Sequence, residues 1–117
     1  MIKTKISIIL VTRNSKSVLF DCLKSLENND IITSSQNAQW IIVDNASSDG
    51  SIEQAVKLYP NINLIKNNDN LGFAKACNQA IKISNADYLL FINTDTEIQQ
   101  NAISKLYDCI TSDQSIG

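Results

Sequence analysis

Two carboxylates stand where an apolar run gives out. Trp40-Ile41-Ile42-Val43 runs into Asp44-Asn45-Ala46-Ser47-Ser48-Asp49-Gly50, and Tyr88-Leu89-Leu90-Phe91-Ile92 runs into Asn93-Thr94-Asp95-Thr96-Glu97. Each run is short, β-branched or aromatic, and bounded by turn formers, the pattern of a buried parallel strand. In an open parallel sheet the ligand crevice lies beyond the carboxyl ends of the strands. An ionised Asp44 there can accept the imide N–H of a uracil or thymine ring. Asp95 can hold a divalent cation across two phosphates, because Mg2+ and Mn2+ take oxygen ligands and leave much of their shell to water and phosphate. Each residue has a plainer reading, since Asp after a strand also forms turns and caps helices. Asp49 reads first as a cap, and Glu97 as an acid complementing the dipole of the helix that follows.

The elements that must position these groups alternate along the chain. Strand one covers 6–11, and a helix over 15–28 repeats apolar residues at Leu19, Cys22, Leu23 and Leu26. A polar stretch, 29–39, reads as an exposed loop before strand two at 40–43. Ser47, Ser48 and Asp49 offer caps for a short helix carrying Ile52, Val56 and Tyr59, which Pro60 ends. Strand three at 62–65 leads through an amide-rich turn at 67–70 into a helix over 71–84, with Phe73, Ala76, Cys77, Ala80 and Ile83 on one face. After strand four at 88–92, Ile103, Leu106, Tyr107 and Ile110 mark a last helix ending near Thr111. This βαβαβαβα order implies a Rossmann-like α/β parallel sheet with helices on both faces and right-handed crossovers. With strand order 3-2-1-4, strands two and four flank strand one, and Asp44 and Asp95 sit on tips about 10 Å apart, the scale of a nucleoside with its diphosphate.

Several functions of such a sheet fail on residues. Strand one ends in Val11-Thr12-Arg13-Asn14-Ser15, with none of the glycines of a dinucleotide fingerprint, and no P-loop occurs. A phosphoacceptor receiver domain places an acidic pair where this chain has Thr12-Arg13-Asn14. A net charge of −2 provides no footprint for nucleic acid or for an anionic membrane. No apolar run approaches the ~20 residues of a membrane span, and Met1-Ile2-Lys3-Thr4-Lys5 does not open a signal peptide, so a cytoplasmic location is expected. Histidine is absent, and Cys22, Cys77 and Cys109 lack C-x-x-C spacing. All three fall in predicted helices and are expected to be buried or half-buried structural thiols.

The remaining pattern resembles the family-2 glycosyltransferases, in the branch that includes rhamnosyltransferase-like enzymes. The matching stretches are Ile8-Ile9-Leu10-Val11-Thr12-Arg13-Asn14, Ile42-Val43-Asp44-Asn45-Ala46-Ser47-Ser48-Asp49-Gly50, Asn70-Leu71-Gly72-Phe73-Ala74-Lys75-Ala76-Cys77-Asn78 and Phe91-Ile92-Asn93-Thr94-Asp95-Thr96-Glu97. The resemblance implies a GT-A fold and the same base-reading role for Asp44. Thr12 and Asn14, at the end of strand one, would line the base and ribose pocket, with a helix cap the alternative for Asn14. Asn70 and Gly72 open helix three, where free N–H groups favour anions; Gly72 also suits close packing. Lys75 would reach the diphosphate or else stay solvated. Asn93 replaces the first acid of the family's D-x-D pattern and is assigned to ribose or donor contacts, leaving Asp95 as the ligand for Mg2+ or Mn2+.

A family-2 enzyme also has a second half that binds the acceptor and supplies a general base for an inverting displacement. No residue here is assigned as that base. The chain therefore reads as the donor-binding half of a glycosyltransferase, truncated, not active alone, and exposing apolar surface along strand four through which it would self-associate. The implied donor is a UDP- or dTDP-sugar and the acceptor a glycan or lipid-linked molecule of cell-surface polysaccharide synthesis, with a place in the cytoplasm or at the inner face of the membrane. The alternative is a non-catalytic nucleotide-binding or interaction domain that keeps the fold.

Overall fold

The computed structural model describes residues 6–27, 38–95, 98–99 and 102–112. The elements run β1 (Ile6–Thr12), α1 (Lys16–Glu27), β2 (Ala38–Asn45), α2 (Ser51–Leu58), β3 (Asn63–Asn67), α3 (Phe73–Ile83), β4 (Tyr88–Asn93) and α4 (Ala102–Ser112). The strands form one parallel sheet in the order β3-β2-β1-β4, the architecture expected.

The period-2 alternation of a strand divides β1 between two cores. Ile8 and Leu10 join Ile42, Leu19, Leu23 and Leu26 of α1, Ile52 and Ala55 of α2, and Ile103 of α4. Ile9 points the other way, with Ile41 and Val43, and meets Ala76 and Ala80 of α3. The two alanines let α3 lie close to the sheet. Each fully buried Leu or Ile contributes about 1.5–3 kcal/mol relative to exposure. The helix-spacing argument holds for α1, where Leu19, Cys22, Leu23 and Leu26 are all buried.

Several expectations change. The polar stretch ends earlier than its composition suggests, because Ala38 and Gln39 pair with Ile6 and Ser7 and belong to β2. Gln39 is tolerated there because Ser7 Oγ and the Asn85 N–H both donate to its Oε1 at 3.0 Å. The rest of that stretch, 29–37, lies outside the described residues, as do 1–5, Asn28, Thr96, Glu97, Gln100, Asn101 and 113–117. Strand three extends to Asn67, because Lys66 and Asn67 continue the ladder opposite Asp44 and Asn45. β4 is not a buried strand. Leu89 and Phe91 are 37% and 41% exposed, because α3 packs on β2 and β1 and leaves β4 uncovered on that side. Phe73 and Ile83, at the two ends of α3, are exposed rather than part of its buried face. Cys22 and Cys77 are buried, but Cys109 is exposed. At about 100° per residue it lies about 240° around α4 from the buried Ile103.

Candidate functional site

The carboxyl ends of the strands come level: Thr12 pairs with Asp44, Asp44 with Lys66, Asn45 with Asn67, and Val11 with Asn93. Alternation then sorts the side chains. Thr12 and Asp44 follow Leu10 and Ile42 toward the side of α1 and α2, whereas Asn45, Asn67 and Asn93 share the α3 side.

On the first side, the loop after β1 is laced to the turn after β2. Asn14 adopts φ 49°, a left-handed conformation that Asn tolerates. Its backbone N–H donates to Ser47 Oγ, and its Oδ1 accepts the Ser48 N–H, both at 2.8 Å. Both Asp44 carboxylate oxygens take the Ser47 N–H at 3.3 Å, and Asp44 is fully buried. The turn-forming role of Asp44 is thus visible, and its enclosed carboxylate is already engaged by the Ser47 N–H. Asp49 caps two helices at once: Oδ2 accepts the Lys16 N–H at the start of α1, and Oδ1 accepts the Ser51 N–H at the start of α2, both at 3.0 Å. Its carboxyl is held below the usual range by the Ser51 hydroxyl first, then by the Ser51 and Lys16 N–H groups. Ser47 and Ser48 do not cap α2, because Gly50, at φ 79°, intervenes. Under this lacing Thr12 is 2% exposed, and its Oγ1 has no hydrogen-bond partner among the described residues.

On the α3 side, Asn45 Nδ2 donates to the Gly72 carbonyl at 3.3 Å and its Oδ1 accepts Asn67 Nδ2 at 2.9 Å. Asn67 and Gln79 exchange two further bonds of 2.9 Å. Asn70 Oδ1 takes the Gly72 N–H at 3.0 Å. Gly72 has φ 83°, and an added Cβ would meet nothing within 4 Å, so its lack of a side chain serves the backbone angle rather than close packing. Asn70, Gly72 and Lys75 are all exposed at the start of α3. Asn45 and Gln79 were not singled out from the sequence, and Asn67 was read only as part of a turn. The available signal was parity, since Asn45 must face opposite to Asp44.

At the end of β4 the Asn93 carbonyl accepts the Cys22 thiol at 3.8 Å, and the Thr94 hydroxyl donates to Ser15 Oγ at 3.3 Å. Both contacts tie this end to α1. The Asn93 and Asp95 side chains are exposed. Burial first, and the nearby Asp95 carboxylate second, push the Cys22 thiol up to about 11. Among the described residues no three carboxylates or thiols gather around one point. Asp95 is exposed, and its carboxylate suits a hard cation that takes most of its shell from water and phosphate.

A parallel sheet with a polar crescent along its carboxyl edge, and no glycine fingerprint, defines an α/β unit of the Rossmann-like class. Residues 7–116 match the family model for glycosyl transferase family 2, and the chain belongs to that family. It is 34% identical over 115 residues to a poly(ribitol-phosphate) beta-glucosyltransferase of Bacillus spizizenii, covering 95% of this chain and 18% of the relative. The crystal structure of Staphylococcus aureus TarS in complex with UDP-GlcNAc superposes with a TM-score of 0.83 at 26% identity, over 93% of this chain and 32% of that one. A mannosyltransferase from Pyrobaculum calidifontis, in complex with GDP-Man and Mn2+, shares the fold with a TM-score of 0.79 at 19% identity, over 98% of this chain and 34% of that one. The chain thus spans a fifth to a third of the length of these proteins.

Proposed function

We propose that these residues form the donor-binding half of a glycosyltransferase that moves a sugar from a UDP- or dTDP-sugar to a glycan or lipid-linked acceptor with inversion. The observation that carries this reading is the Thr12 hydroxyl, unpartnered among the described residues and buried at the carboxyl edge of an inner strand of a family-2 chain. A buried hydroxyl without a partner costs free energy that a ligand's acceptor or donor would recover. The UDP-GlcNAc complex of TarS supports a uridine diphosphate donor.

In this reading Asn14, and Thr12 once the turn over it opens, face the nucleoside, while Asn70 Nδ2, the free N–H groups of the first turn of α3 and Lys75 present donors to the diphosphate beside Gly72, whose own N–H is held by Asn70. Asp44 anchors the turn beside the base and contacts it only if Ser47 gives way. Asn93 meets the ribose or sugar, and Asp95 would hold Mg2+ or Mn2+. When bound, such a cation offsets the charge that develops on the departing nucleoside diphosphate as the anomeric C–O bond breaks. The general base that takes the acceptor hydroxyl proton is not assigned among the described residues. No described helix is long and apolar enough to cross a membrane, and the site is proposed to work in the cytoplasm, at the inner face of the membrane when the acceptor is lipid-linked.

Calorimetric titration of UDP and dTDP, with and without Mn2+, tests the reading. Binding that Mn2+ strengthens in the wild type, with that gain abolished in Asp95→Ala, is expected. No binding to the folded chain would favour a non-catalytic interaction domain.

A further inference from the structure

The amide chain on the α3 side has a geometry that packing alone does not require. It runs from Gln79 to Asn67, on to Asn45, and back to Gly72. Gly72 caps α3 and Gln79 lies within it, seven residues on, or roughly 10 Å along the axis at 1.5 Å per residue. Asn67 closes β3 and Asn45 closes β2. The circuit therefore braces the first two turns of α3 against two strand ends at once. Asn67 is its hub, with Nδ2 donating to both Asn45 and Gln79 and Oδ1 accepting from Gln79. Asn45 is 3% exposed, so every bond taken from it leaves a buried amide unpaired.

Apolar side chains of similar size could hold α3 on the sheet equally well, since Ala76 and Ala80 already bury that face. What amides add is a fixed distance and direction. The circuit holds the Gly72 carbonyl from β2 while Asn70 holds its N–H. Asn70, the free N–H groups of the first turn and Lys75 are thereby set in place relative to Thr12, which ends β1, and Asp44, which precedes the last residue of β2. The three side chains are uncharged, so this placement does not titrate near neutral pH.

We propose that Asn67 and Gln79 are positioning residues that, through Asn45, fix where the start of α3 stands and so how firmly the chain grips the diphosphate of a bound nucleotide. This rests on the donor-site reading above. Neither residue touches the ligand.

The test compares UDP with uridine, titrated in the presence of Mn2+ at a temperature where each variant is fully folded. Gln79→Met removes two hydrogen bonds at similar volume and no change of charge. UDP affinity is expected to fall about tenfold, as for a misplaced binding group, while uridine affinity changes less than about twofold. Should Gln79→Met fail to fold, Gln79→Asn, one methylene too short for both bonds, takes its place with the same expectation. Asn63→Ala serves as control: it loses a 3.3 Å bond to the Trp40 carbonyl at the other end of β3 and should keep both affinities. UDP and uridine affinities that fall together, or that both hold while only the melting temperature drops, would overturn the positioning role and leave the donor site standing. A wild-type chain that binds neither ligand would overturn the donor reading, and this inference with it.

Discussion

Replacing Thr12 with valine should make the unliganded chain more stable and a worse nucleotide binder. The side chain ends β1, an inner strand, at 2% exposure, and its Oγ1 is unpartnered among the described residues. Burying a hydroxyl without a hydrogen bond costs about 1–3 kcal/mol in mutational data. Valine keeps the branched outline, suits a strand and removes that cost. A gain of about 1 kcal/mol, the lower end, would raise the melting temperature by roughly 4 °C in a domain of this size. If the hydroxyl is kept for a ligand, the same substitution removes one hydrogen bond from the complex. A neutral bond has a net worth of about 0.5–1.5 kcal/mol, which lowers UDP affinity roughly two- to tenfold. Thermal melts without ligand and calorimetric titration with UDP measure the two effects on the same protein. Opposite signs are the signature of a polar group held unsatisfied for binding. A Thr12→Val chain that melts lower and binds UDP as well as the wild type would refute the reasoning, because the hydroxyl would then have a structural partner and no ligand.

Two other expectations concern stability and association. The Asp49 carboxyl titrates lower in the folded chain than in the unfolded one, so its contribution is complete above the ordinary carboxylate value near about 4 and disappears as pH falls through the lower folded value. Urea midpoints should therefore separate wild type from Asp49→Asn at neutral pH and converge in acid; an equal gap at both would remove the charge from the account. Leu89 and Phe91 lie exposed on an edge strand, so light scattering should show mass rising with concentration and Phe91→Lys should suppress the rise. A constant monomer mass across the micromolar range would contradict that.

Much of the architecture was legible from short-range pattern. The runs ending at Val43 and Ile92 marked strands, Leu19, Cys22, Leu23 and Leu26 marked the buried stripe of α1, and four alternating βα pairs implied a parallel sheet. Boundaries were less legible where polar residues continued a strand. Gln39, Lys66 and Asn67 look like loop residues until the neighbouring strand supplies their partners. β4 misled for the opposite reason: its composition suits burial, but burial depends on where α3 lies.

By itself, then, the sequence determined which segments are strands and helices and that Thr12, Asp44 and Asn93 come where strands run out, at one edge, because burial and turn propensity are periodic along the chain. Tertiary structure alone decided what each of those residues touches. Asn14 meets Ser47 and Ser48 across 33 and 34 residues, and Asn45 meets Gly72 across 27. Such partners are set by strand order and by the face on which each crossover helix lies, and no local pattern encodes either. For the same reason Asp44 came out enclosed beneath its turn, Asp49 came to serve two helices, and the Thr12 hydroxyl came out buried with no partner among the described residues.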